Sequence, residues 1–135
     1  MICLSRGFAM AGLLLGVAAC QPASETDFDD RPFNPEYGSI STELLEDDLV
    51  SFTLQMRGAR DNADIKDFGD CVAAQYAVIR GYGFARHIRT TSEEFGGLWT
   101  GRSVYTISAG LPRGLATIDA EVTLANCRES GIPTV

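Results

Sequence analysis

From Leu49 to Arg57 apolar and polar residues alternate without interruption. Val50, Phe52, Leu54 and Met56 take one parity and Ser51, Thr53, Gln55 and Arg57 the other. A period of two with one polar parity describes a strand that packs one face on a core and wets the other. Shortly afterwards the period changes: Ile65, Phe68, Val72, Tyr76 and Ile79 recur at spacings of three or four, the stripe of an amphipathic helix. Between the two, Arg60-Asp61-Asn62 offers a side chain to the free amides of a helix start, and Gly81 offers a left-handed stop. The spacing predicts a helix over 63–80 lying on one face of a sheet. A strand with one wet face excludes a sheet covered on both sides.

Downstream, Phe84 to Thr90 alternate loosely and Phe95-Gly96-Gly97 marks a reversal. Leu98 to Ser108, with Trp99, Val104, Tyr105, Thr106 and Ile107, carry the aromatic and β-branched side chains that favour a strand. Leu111-Pro112-Arg113-Gly114 is a second turn. Ile118, Ala120, Val122 and Leu124 then alternate with Thr117, Asp119, Glu121 and Thr123, which predicts a last strand with Cys127 on its polar parity. The expected fold is α+β over 49–135: strand, helix, then a three-stranded antiparallel meander, with one helix packed on one sheet face. The uncovered face would gather Arg86, His87, Arg89, Trp99, Asp119 and Glu121 as a candidate interaction surface.

Charge is uneven along the chain. Gln21 to Asp48 holds nine acidic residues against Arg31 alone, whereas Leu49 to Val135 balances nine acids with Lys66 and eight arginines. Together with Pro22, Pro32 and Pro35 and few apolar residues, this describes an acidic flexible tether over 20–48. A helical turn over 41–48 docking Leu44 and Leu45 is the alternative for its last part. No basic patch with interleaved aromatics is present, which argues against a nucleic-acid partner.

The chain starts with a single positive residue, Arg6, followed by an uncharged apolar run from Gly7 to Ala19 that closes in Val17-Ala18-Ala19-Cys20. The run is too short for a membrane span and has the pattern of an export signal. These residues resemble the bacterial lipoprotein signal with its lipobox. The resemblance implies that 1–19 is cleaved and that Cys20 carries a diacylglyceryl anchor, two or more chains being enough to hold a protein stably on a bilayer. Gln21 after that cysteine resembles an outer-membrane address, so the expected location is the periplasmic side of the envelope. The alternative is an ordinary signal peptide cut near Ala18 or Ala19, leaving Cys20 a plain thiol.

Given export, Cys71 and Cys127 remain in an oxidising compartment and are expected to pair. A metal site would need more than these two thiolates and the chain's single histidine, His87. Two further stretches resemble a group of short uncharacterised proteobacterial lipoproteins. They are Cys71-Val72-Ala73-Ala74-Gln75-Tyr76 with Gly81-Tyr82-Gly83-Phe84-Ala85-Arg86-His87, and Thr117-Ile118-Asp119-Ala120-Glu121-Val122 before Cys127. The resemblance implies a helix bearing the first cysteine before a small sheet bearing the second, and no activity.

For chemistry, Gly81-Tyr82-Gly83 follows a helix instead of opening one, so it is a stop and a turn, not a phosphate cradle. His87 with Asp119 or Glu121 is one acid–base set on offer, and Asp119 paired with Glu121 is another. Two acids two apart on a strand also suit cross-strand salt bridges to Arg86, Arg89 or Arg102, and neither Ser103 nor Ser108 lies in G-x-S-x-G. No cofactor motif and no metal set is read. The expected function is a non-enzymatic, lipid-anchored module contacting an envelope protein or the cell wall. The alternatives are a small periplasmic hydrolase using His87 with Asp119 or Glu121, and a sensor whose Cys71–Cys127 bond responds to redox state.

Overall fold

The computed structural model describes residues 32–135. The expected leader over 1–19, the expected lipidation site Cys20 and the first part of the acidic stretch lie outside them. The elements are β1 (Glu36–Leu44), β2 (Leu49–Arg57), α1 (Asn62–Ile79), β3 (Phe84–Phe95), β4 (Leu98–Ser108), β5 (Thr117–Asp119) and α2 (Ala120–Ser130). The strands form one antiparallel sheet in the order β1-β2-β4-β3-β5. The fold is α+β, with two helices.

Strand β2 follows its alternation: Val50, Phe52, Leu54 and Met56 are buried in the core. Helix α1 lies over them with Ile65, Phe68, Val72 and Ala73. Its start is fixed twice. The Asp61 carboxylate accepts from the Ala63 amide at 2.8 Å, and Asp64, its side chain only 5% exposed, accepts from the Arg60 amide at 2.7 Å and from Arg60 Nε and Nη2 at 3.1 and 2.8 Å. The Arg60 guanidinium holds the Asp64 carboxyl below its usual pKa. Two glycines bring α1 close to the sheet. A Cβ on Gly69 would stand 2.7 Å from Ser103 Oγ and 2.8 Å from Tyr105 OH, and one on Gly101 would collide with the Ile65 methyl.

Three expectations are corrected. The tether does not extend to Asp48, nor is there a helical turn over 41–48, because residues 36–44 form β1. Tyr37 stands opposite Met56 and Ile40 opposite Leu54, and the Tyr37 ring meets Phe68 edge-on at 4.8 Å. A register shift between Tyr37 and Ile40 breaks the alternation there, which hides the strand in a sequence dominated by acids. The folded unit therefore starts ahead of Leu49.

The predicted last strand is only three residues of strand followed by α2. The Asp119 carboxylate accepts from the Val122 amide at 3.1 Å as an N-cap, and Gly131, at φ 70°, closes the helix. Ala120, Leu124 and Cys127 are the buried positions, at spacings of four and three. Those positions satisfy the helical period as well as Ile118, Ala120, Val122 and Leu124 satisfy a period of two, and the cap decides. On a helix Cys127 faces α1, and the Cys71–Cys127 disulfide forms with the Cα atoms 5.9 Å apart. The parity conflict of a strand-borne Cys127 disappears.

The meander order is also wrong. A meander would place the three later strands in the order β3-β4-β5, but the last strand pairs with β3 through Phe84–Asp119, Ala85–Ile118 and Arg86–Thr117, so the order is β4-β3-β5. The other edge of β4 pairs antiparallel with β2, which leaves β3 free to take β5.

Candidate functional site

Beneath α1 the sheet carries a connected polar cluster. His87 on β3 is opposite Tyr105 on β4, the rings meeting edge-on at 5.2 Å, and His87 Nε2 lies 2.7 Å from Thr90 Oγ1. Thr90 Oγ1 is in turn 2.8 Å from Ser103 Oγ. Tyr105 OH donates to Asp70 Oδ1 at 2.7 Å, and Lys66 Nζ donates to Asp70 Oδ2 at 2.6 Å. Burial, and then the Asp70 charge, push the Tyr105 hydroxyl far above its ordinary pKa. Burial, reinforced by Lys66, pulls His87 below its ordinary pKa, with Asp70 opposing. Partial desolvation, and then the Asp70 charge, raise Asp67 above its ordinary pKa. His87, Thr90, Ser103, Tyr105, Asp70 and Lys66 are each engaged by a neighbour. Tyr105 is a fixed donor and Ser103 is 0% exposed, so neither can meet a substrate.

The six residues expected to share the open face are divided. Arg86 and Arg89 are on it, paired with Thr106 and Val104, whose parity is opposite to buried Tyr105. His87 is on the covered face, and so is Trp99, which stands opposite Met56 and packs on the core. Asp119 caps α2 and Glu121 lies exposed in that helix's first turn. Among the described residues no hydrogen bond joins His87 to a carboxylate, and its ring nitrogen is engaged by Thr90. Also among the described residues, no group of three or more His, Cys, Asp or Glu is arranged to hold a metal ion.

The open face carries a different constellation. Between His87 and Arg89 the β3–β4 register shifts, leaving Ile88 as the extra residue. The bulge breaks alternation, so Ile88 and Arg89 both line one groove of about 530 Å³ with Leu45, Arg102 and Val104. Arg102 Nε donates to Ser51 Oγ at 2.8 Å, and its Nη2 lies 3.3 Å from Glu43 Oε2. The sequence did not point to Leu45, Ile88 or Val104 as part of a site, and Arg102 was expected to pair with Asp119 or Glu121, not with Ser51 and Glu43. The one signal for the bulge was the loose alternation of Phe84 to Thr90, where Ile88-Arg89-Thr90 breaks the parity that Ala85 and His87 begin.

The sequence profile of the YNQ4 C-terminal domain matches residues 37–131, starting within β1. A curated relative, the "Uncharacterized 26.9 kDa protein in nqo8 5'region" of Paracoccus denitrificans, is 36% identical over 87 residues, which are 64% of this chain and 34% of that protein. The aligned part thus spans about a third of the relative's length. No solved structure matches.

Proposed function

The chain belongs to the YNQ4 C-terminal domain family, and from that premise we propose that it is a lipid-anchored envelope protein whose domain acts as a binding module through the open face of its sheet. The observation that carries the reading is the Cys71–Cys127 bond, because disulfides persist in the oxidising compartments that an export signal leads to. The Val17-Ala18-Ala19-Cys20 stretch supplies the address, and Cys20 would bear the lipid. Residues 21–35 would then separate Cys20 from β1, a reach of at most about 50 Å.

Mass spectrometry of the membrane fraction tests this with and without reduction. The expected product starts at Cys20, carries acyl mass, and yields thiols at Cys71 and Cys127 only after reduction. A Cys20→Ala chain should leave the membrane fraction. Recovery of an unacylated wild-type chain with an intact leader, or of free thiols before reduction, would reject the assignment.

A further inference from the structure

We infer that the groove on the open face of the sheet is a docking site for an acidic, partly apolar protein segment, with Arg89 and Arg102 pairing its carboxylates. The inference rests on the binding-module reading and adds to it the position of the site and the chemistry of the partner. Three observations converge on this groove. Its floor and walls are apolar, formed by Val104, Leu45 and Ile88, the last two 39% and 47% exposed. Two guanidiniums border that apolar surface. The bulge that places Ile88 beside Arg89 interrupts an otherwise continuous ladder, and bulges of this kind re-aim side chains at functional places.

Charge complementarity selects the partner. A guanidinium offers a planar fork that matches a carboxylate. The structure already shows Arg102 turned toward one, Glu43 at 3.3 Å, while Ser51 Oγ accepts from its Nε and orients the group. Among the described residues Arg89 has no acidic partner within salt-bridge distance. Exposed Leu45 and Ile88 and half-buried Val104 beside two guanidiniums suit an extended segment that alternates acidic and aliphatic residues.

The test titrates the purified full chain against a fluorescein-labelled octapeptide of alternating glutamate and leucine, its glutamine–leucine counterpart, and phosphatidylglycerol vesicles. The acidic peptide should bind, and replacing glutamate by glutamine should lower affinity at least about tenfold, equivalent to about 1.4 kcal/mol. An Arg89→Gln/Arg102→Gln chain should show a loss of the same size. Glu43→Gln, which frees Arg102, should tighten binding about two- to threefold, on the scale of one exposed ion pair. Circular dichroism confirms that each variant is folded. The inference is overturned if the acidic peptide does not bind, if the glutamine peptide binds equally, if the double variant binds as the parent does, or if only the vesicles bind. Acylation of Cys20 is measured separately, so failure of the groove leaves the anchor standing and failure of the anchor leaves the groove standing.

Discussion

The two faces of one sheet differ more than their shared strands suggest. On the covered face α1 approaches so closely that two glycines are needed, and the polar side chains there are bound to one another: His87 to Thr90, Thr90 to Ser103, Tyr105 to Asp70. On the open face the polar groups are arginines around an apolar groove, with a bulge breaking the regular ladder. The histidine and the buried hydroxyls attract attention in the sequence, yet they serve the packing of a helix. The free chemistry lies with residues that look ordinary in the sequence.

Four perturbations test how far that division holds, in decreasing order of effect. Cys127→Ser removes the bond that ties α2 to α1 across 56 positions of sequence, and the chain-entropy argument gives a loss of about 4 kcal/mol, read as a fall in the urea midpoint of the oxidised protein. Gly69→Ala forces a methyl against Ser103 and Tyr105, so thermal unfolding should show a loss of about 1–3 kcal/mol. The same change at Gly131, where a Cβ would meet nothing but φ is positive, should cost less, about 1 kcal/mol.

The third perturbation is pH. His87 has a lowered pKa in the folded protein, so the unfolded chain binds the proton more tightly. Its contribution to stability is complete above the unfolded value of about 6.5 and is lost as pH falls from there through the folded pKa. Denaturant midpoints measured across that window should drop on acidification in the parent and drop less in His87→Gln. An unchanged pH dependence would remove the histidine from the covered cluster. The smallest effect belongs to the open face: Arg86→Gln and Arg89→Gln should each change stability by less than about 0.5 kcal/mol, because both residues are exposed. A large loss at either position would erase the contrast between the faces.

How much was legible follows from which interactions are local. β2 and α1 were readable because each writes a full period into consecutive residues and each boundary has a nearby signal, Asp61 at one end of α1 and Gly81 at the other. The pairing of Cys71 with Cys127 was readable from the cysteine count, as the two cysteines left once Cys3 and Cys20 are assigned to the expected export signal. Residues 36–44 were not, because the register shift scrambles their alternation and acids dominate the stretch. Residues 120–127 satisfied two periods at once.

The sequence alone determined the local periods, a helix start at Asp61 or Asn62 and the cysteine count, since these depend on residues a few positions apart. The tertiary structure decided the strand order, the helical state of Ala120–Ser130 and which face each polar residue occupies. The direction of a strand depends on every reversal before it, and a single extra residue, Ile88, changes the face that its successors present. That is why Arg89 came to border a groove on the open face while Thr90 turned to the covered face beside Ser103.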